Sequence, residues 1–201
     1  MSALLLAAAQ GRADIVKLLL TVNTEDPGIP VACLSDANWL LFEELFGADE
    51  TDLTSPLLEA CDGGHNATVR LLADARSSLD HAAPSGEVPL ITAVRGGHVG
   101  VVELLLDAKA RNLDAAYNHA CFTALYFAAS AGHLAIVELL ISARADHKRR
   151  PPGKGPLDTA ASHGHAEIVK KLLDAGASDP CGQASSAAYR LGHHGIYAML
   201  A

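Results

Sequence analysis

Histidine and cysteine are the side chains of this 201-residue chain most suited to metal binding or catalysis. The ten histidines include five that each follow a glycine at regular intervals, which indicates a structural role. These five are His65, His98, His133, His165 and His193. The four cysteines lie far apart and form no C-x-x-C pair, so they favour reduced thiols over a disulfide or zinc framework. They are Cys33, Cys61, Cys121 and Cys181.

The remaining motifs that carry chemistry are missing from the sequence. His163 and His165 have no cysteine or carboxylate close enough in sequence to resemble a zinc signature. The glycine-rich stretch PPGKG at 151–155 lacks the spacing of a phosphate-binding loop and its Ser or Thr. No nucleophile elbow or dinucleotide fingerprint occurs. The sequence therefore predicts no metal, no cofactor and no enzymatic activity.

The composition favours short, closely packed helices. Half of the residues are apolar, mostly Ala and Leu, and only 4% are aromatic. The net charge is −8, with −9 in residues 1–100 and +1 in residues 101–201, which argues against nucleic-acid binding. No apolar run is long enough to span a bilayer, and no Lys or Arg precedes the apolar start as in a signal peptide. We therefore expect no membrane insertion and a location in the cytoplasm or nucleus.

One phrase recurs along the chain in the form small–Pro–Leu–x–x–Ala–x–x–x–Gly–His. The spacing between the well-formed copies is 33, 35 and 32 residues. A second apolar stretch, such as ADIVKLLL or LAIVELLI, follows each copy. The copies are 2–12, 55–65, 88–98, 123–133 and 155–165, with a weaker one at 183–193.

Each part of this phrase has a physical reason. A proline such as Pro56 starts a helix well, because its φ is preset and a first-turn N–H would be unpaired anyway. Ala60 lies three residues after Leu57 on the same helix face, and alanine lets neighbouring helices approach closely. Gly64 falls where the first helix must stop and reverse. Since one short helix pair cannot bury its apolar face alone, neighbouring pairs must stack.

The phased copies resemble the ankyrin repeat, which has a period of 33 residues and the signature T-P-L-H-x-A. The resemblance covers nearly the whole chain. It implies an all-α solenoid of stacked helix-turn-helix units with hairpin-like connecting loops. The chain departs from the signature in one respect, because no copy has His at the fourth position.

The repeat divides the chain into a single domain of seven units. Residues 28–49 are interpreted as a degenerate unit opened by Pro30, with its second helix from Trp39 to Phe46. The alternative is that residues 24–54 contain an inserted loop with one amphipathic helix. The expected units are 1–23, 28–49, 50–79, 80–113, 114–146, 147–179 and a C-terminal cap at 180–201.

The resemblance implies protein–protein interaction as a scaffold, adaptor or inhibitor, through the hairpin tips and the concave face of the first helices. We expect a monomer that binds another protein or peptide. The candidate tip residues are Lys148, Arg149, Arg150 and Lys154. They suit acidic or phosphorylated segments, although a solvated charged turn is the alternative. The candidate concave-face residues are Arg95, Ser130, Ala131, Ser162 and His163.

A second hypothesis is that the chain is the targeting fragment of a larger enzyme, such as a kinase, an acyltransferase or a ubiquitin ligase. The beginning of the sequence inside a repeat favours it.

Overall fold

The computed structural model describes residues 3–21, 54–75, 79, 87–108, 122–146 and 155–201. These residues form twelve α-helices in six pairs, and each pair is one repeat with a first and a second helix. The pairs are α1 (Ala3–Ala9) with α2 (Ala13–Thr21), α3 (Thr54–Asp62) with α4 (Asn66–Asp74), α5 (Pro89–Arg95) with α6 (Val99–Asp107), α7 (Ala124–Ala131) with α8 (Leu134–Ser142), α9 (Pro156–His163) with α10 (Ala166–Asp174), and α11 (Gln183–Arg190) with α12 (His194–Leu200).

The chain divides into two compact halves, residues 1–110 and residues 111–201. In the N-terminal half, α1 packs on α3 and α3 on α5, while α2 packs on α4 and α4 on α6. In the C-terminal half, α7 packs on α9 and α9 on α11, while α8 packs on α10 and α10 on α12. In each half the first helices form one layer and the second helices another. The prediction of an all-α stack of helix pairs is confirmed.

The ends of the first helices follow from local sequence. Pro156 occupies the first turn of α9, and Gly155 before it is extended. Thr123 caps α7 because its hydroxyl oxygen accepts a hydrogen bond from the N–H of Tyr126 at 3.3 Å. At the other end of α9, Gly164 has a φ of +80°, the left-handed conformation that glycine adopts without a steric penalty.

The glycine at this stop is also where one repeat contacts the next. The His193 ring packs against Gly164, so closely that a Cβ on Gly164 would lie 2.7 Å from the ring. The same contact joins Gly132 to His165 in the C-terminal half. In the N-terminal half it joins Gly11 to His65 and Gly64 to His98.

The histidine rings also form hydrogen bonds between repeats. His98 Nε2 lies 2.7 Å from the carbonyl oxygen of Asp62, and His165 Nε2 lies 3.2 Å from that of Ser130. His65 Nε2 makes the corresponding bond of 3.1 Å to Ala9. Because a carbonyl oxygen only accepts, each Nε2 carries the proton. The structure thus supports the structural role inferred for these histidines.

The core of each half consists of small and branched aliphatic side chains between the two helix layers. Ala128 and Ala160 are fully buried in the first-helix layer, and Val137 and Val169 are fully buried in the second-helix layer. Alanine side chains let α7 and α9 approach closely, while valines fill the space beneath them. This layer is thin, in agreement with the low aromatic content.

The repeat at 3–21 packs directly on the repeat at 54–74, through α1 on α3 and α2 on α4. The predicted degenerate unit at 28–49 lies outside the described residues. Whether residues 24–54 hold a degenerate unit or an inserted loop with one amphipathic helix stays a prediction. The unit boundaries themselves stay predictions.

Lys171 occupies a position where most other second helices have Leu. Its Nζ lies 2.6 Å from Glu138 Oε1 on the neighbouring α8, and about half of each side chain is exposed. The pKa of Lys171 is raised by its hydrogen bond and charge interaction with Glu138. An exposed pair of this kind contributes little to stability, because water screens its charges.

A pair of glycine substitutions separates the ring contact from backbone strain. Gly164 and Gly192 both have a φ of +80°, but a Cβ on Gly192 would meet nothing within 4 Å. We expect Gly192→Ala to lower the free energy of unfolding by about 1–2 kcal/mol. Gly164→Ala should lower the free energy of unfolding by roughly 1–3 kcal/mol more than Gly192→Ala does, because the added methyl displaces the His193 ring. Urea unfolding measures both values, and equal losses would contradict the proposed packing role.

Asp179 supplies a second test at the start of the last repeat. Burial alone would raise the pKa of its carboxyl, but hydrogen bonds from backbone N–H groups outweigh burial and lower the pKa. Two of these bonds come from Gln183, at 2.8 Å, and Ser185, at 2.9 Å. Because the pKa is lower in the folded state, the stabilisation is present above the unfolded-state pKa and is lost as pH falls through the folded-state pKa.

Asp179→Asn should therefore lower the free energy of unfolding by about 1 kcal/mol at pH 7. The difference from the unmodified chain should shrink as pH falls below 4. Denaturant-induced unfolding at several pH values between 7 and 3 measures this difference in the free energy of unfolding. A difference that stays constant over this range would show that the charge of the Asp179 carboxylate does not contribute to stability.

Candidate functional site

The two positions before the Gly-His pair lie in the same register in every first helix. In the N-terminal half, Arg95 and Asp62 are exposed at the first of these positions, and Gly63 and Gly96 at the second. Arg95 forms an ion pair of 3.3 Å with Glu87. These two repeats therefore present a surface of mixed charge with little side-chain bulk at the second position, where the first repeat has the exposed Gln10.

The C-terminal half presents Ala131, His163 and Leu191 at the second position, in place of the glycines Gly63 and Gly96. Because α7 packs on α9 and α9 on α11, the side chains of the three helices follow one another across the layer. This first-helix row consists of Ser130, Ala131, Ser162, His163, Arg190 and Leu191. Of these, Ala131, His163, Arg190 and Leu191 are exposed. The row thus combines hydroxyl, imidazole, guanidinium and aliphatic groups on one surface.

Ser162 and His163 are adjacent, but their geometry does not make a nucleophile and a base. The Ser162 hydroxyl donates to the carbonyl oxygen of Thr159 at 2.9 Å. His163 Nδ1 also lies 2.9 Å from that oxygen, so Nδ1 carries a proton. A protonated Nδ1 does not activate Ser162. In the neutral ring the accepting nitrogen is then Nε2, which suits a hydrogen-bond donor from a partner.

The His163 ring is also held in place by the neighbouring Gly-His position. Its ring centroid lies 6.0 Å from that of His165, and the two planes are nearly parallel at 8°. Since His165 itself bonds to Ser130, the orientation of His163 depends on the contact between repeats. A fixed side chain loses less rotamer entropy on binding.

A groove lies beside the row, between α9 and α11, with a volume of about 330 Å³. Asp158 is buried at the base of α9 and accepts a 2.7 Å hydrogen bond from the N–H of Gly155. Arg190 supplies a positive charge at the groove. The lining residues are Asp158, Ser162, Cys181, Gly182, Gln183, Ser186, Ala187, Arg190 and Leu191. Such a mixed lining can bind an extended polypeptide through both side-chain and backbone groups.

The predicted tip residues Lys148, Arg149, Arg150 and Lys154 lie outside the described residues, between Asp146 and Gly155. The predicted concave-face residues fall in both halves. Ser130, Ala131, Ser162 and His163 are brought together in the C-terminal half, whereas Arg95 belongs to the N-terminal half.

Sequence reasoning missed Arg190 and Leu191 in the row and Cys181, Gln183 and Ser186 in the groove. A signal for the first two was present, because Arg190 and Leu191 precede Gly192 and His193 in the same register as Ser162 and His163. The groove residues carry no motif, since they meet only where α11 packs on α9.

Within the described ranges, no three His, Cys, Asp or Glu side chains are grouped so that they could hold a metal ion. None of the helices described here is long and apolar enough to cross a membrane.

The chain is similar to known proteins in both sequence and structure. The family model described as ankyrin repeats (3 copies) matches residues 31–118 and 111–182. Among solved structures, the chain is similar to the human ASB11 ankyrin repeat domain, with 25% sequence identity and a TM-score of 0.75. That alignment covers 100% of this chain and 82% of the ASB11 chain. No curated protein sequence matches.

The cysteines provide a chemical test of the groove. Cys181 is exposed at the groove, whereas Cys61 is buried in α3. Burial and the nearby charge of Asp62 raise the pKa of the Cys61 thiol to about 12. At pH 8 iodoacetamide should modify Cys181 readily and Cys61 far more slowly, because Cys61 is buried and the thiolate is the reactive form. Peptide mapping by mass spectrometry measures both rates, and comparable rates in the folded chain would contradict the burial of Cys61.

Proposed function

Because the chain belongs to the ankyrin repeat family, we propose that it is a scaffold, adaptor or inhibitor whose partner binds the first-helix row and the adjoining groove. Ankyrin repeats are generally protein–protein interaction modules and not catalytic ones. The observation that carries the proposal is the row of exposed, chemically varied side chains on a layer whose interior is uniform. Small buried residues maintain the packing between repeats, while exposed residues that differ from repeat to repeat provide specificity.

The rigidity of the stack supports this function. The His163 ring is already oriented by Thr159 and His165, and the groove beside it is already formed between α9 and α11. A preformed surface loses little conformational entropy on association, so its side-chain contacts contribute more of their energy to affinity. The groove suits an extended segment of the partner, with an acidic side chain near Arg190.

The basic tip formed by Lys148, Arg149, Arg150 and Lys154 is proposed as a second contact for the same partner. Four cations within seven residues would attract an acidic or phosphorylated segment. The rest of the chain carries a net negative charge, which would repel a phosphate backbone and argues against nucleic acid as the partner. We propose further that the protein acts as a monomer in the cytoplasm or nucleus, where its cysteines stay reduced.

The test begins with the isolation of partners by affinity capture and the measurement of each Kd with purified components. Ser162→Arg fills the groove without changing the core, and we expect it to weaken binding at least tenfold. Arg149→Glu/Arg150→Glu should weaken binding and reduce its salt dependence, because phosphate or carboxylate contacts are lost. The partner should also protect Cys181 from iodoacetamide.

Lys170→Glu is the matched control. Lys170 is exposed on the second helix α10, away from the first-helix layer, and its reversal lowers the net charge as the two arginine reversals do. We expect no change in Kd for this variant. A partner that binds Ser162→Arg normally and Lys170→Glu poorly would overturn the proposed site.

A further inference from the structure

A second groove lies in the second-helix layer of the C-terminal half, between α8 and α10. It has a volume of about 490 Å³, and the C-terminal parts of both helices line it. We call it the second-helix groove. Its lining residues are Glu138, Ile141, Ser142, Lys171, Asp174 and Ala175. None of these residues lines the groove between α9 and α11, so the two grooves are separate surfaces.

A departure from the repeat pattern borders the second-helix groove. Lys171 stands where the other five described second helices have an apolar side chain, namely Leu18, Leu71, Leu104, Leu139 and Met199. Its Nζ lies 2.6 Å from Glu138 Oε1 on α8, and about half of each side chain is exposed. Because water screens such a pair, it contributes little to stability. The packing of the stack therefore does not explain the lysine at this position.

The charge balance at the second-helix groove is negative. Lys171 is the only cation among the described residues that line it. Three carboxylates act on this one ammonium, since Glu138 forms a hydrogen bond and an ion pair with it and Asp174 and Glu167 attract it through charge. The Asp174 side chain is exposed and forms no ion pair in the described part of the chain. One ammonium cannot balance three carboxylates, so the groove favours a further cation.

The helix ends at this groove favour a cation as well. α8 ends at Ser142 and α10 ends at Asp174. The last carbonyl groups of a helix carry partial negative charge, and a carboxylate such as Asp174 is unfavourable beside them unless a cation is near. Ile141 and Ala175 add apolar surface on which an aliphatic stem can pack. Arginine combines such a stem with a planar group that donates several hydrogen bonds to carboxylate and carbonyl oxygens.

We propose that the second-helix groove binds an arginine side chain in an extended segment of another protein. The guanidinium donates to the Asp174 carboxylate, and the stem of the arginine packs on Ile141 and Ala175. Glu138 holds the Lys171 ammonium, which limits its repulsion of the incoming cation. This surface lies beyond the function proposed above, because it uses the opposite helix layer and selects the opposite charge. Complementary charge favours a basic segment over an acidic one.

The test compares two fluorescein-labelled peptides that differ only in charge. One has the sequence Ser-Arg-Ser-Leu-Ser-Arg-Ser, and the other has citrulline at both arginine positions. Alternate residues of an extended chain point to the same side, so the arginines and the leucine face the groove together. Fluorescence polarisation with the full chain should show that the arginine peptide binds at least about tenfold more tightly. The difference should shrink as salt is raised, because salt screens exposed charges.

Variants locate the binding site, since a chain with a net charge of −8 attracts cationic peptides in general. Asp174→Asn should weaken binding of the arginine peptide at least about fivefold. Asp107→Asn is the matched control, because Asp107 is exposed at the same position of the repeat, at the end of α6, and its substitution changes the net charge equally. It should change the Kd by less than about twofold.

Ser142→Arg supplies an independent blocking variant. The new side chain places a cation of the chain itself at the second-helix groove, and a cation is favourable in the last turn of α8. We expect it to abolish binding of the arginine peptide. Circular dichroism and thermal unfolding establish that each variant is folded.

Several outcomes would overturn the proposal. They are equal binding of the two peptides, no binding of the arginine peptide, and equal losses in Asp174→Asn and Asp107→Asn. Self-association in sedimentation velocity that Asp174→Asn abolishes would assign the groove to a second copy of the chain instead. Ser162→Arg separates this proposal from the function proposed above, because it should leave binding of the arginine peptide unchanged while it weakens the partner of the first-helix row.

Discussion

The contact between a glycine and the histidine of the following repeat is the constraint on which each half of the structure depends. A ring such as that of His193 occupies the space where a Cβ of Gly164 would stand, and His98 and His165 add a hydrogen bond to a carbonyl of the preceding repeat. The contact defines both the distance and the register between neighbouring repeats. Burial of Ala160 and Val169 follows, because the helices approach closely enough for small side chains to fill the layer.

A stack held in this way leaves the outer positions of the first helices without a role in packing. Ser162 and Arg190 lie in one register but differ in chemistry, while Ala160 and Ala188 beneath them are both buried alanine. Binding specificity can therefore vary without loss of the fold. The adjacent hydroxyl and imidazole of Ser162 and His163 show the same division, since both bond to a carbonyl of their own helix.

Carboxylates with local partners replace some of the interactions expected from the family signature. Asp158 stands at the fourth position of its repeat and accepts the N–H of Gly155, and Asp179 accepts backbone N–H groups at the start of α11. Both side chains satisfy backbone donors that helix starts leave unpaired. The last two repeats thus begin with acidic caps, whereas the surface of the final repeat itself is free of carboxylate side chains.

The sequence by itself determined the repeats, their helix pairs and the positions of glycine and histidine, because these features rest on local periodicity and on backbone conformations that proline and glycine favour. It also predicted a surface position for Ser162 and His163, because they precede a clear Gly-His pair. Only the tertiary structure showed that the repeat at 3–21 packs directly on that at 54–74, that Arg190 and Cys181 share a groove with Ser162, and that Tyr189 and Tyr197 are exposed. These features depend on which helix packs against which, and no local sequence pattern encodes that packing.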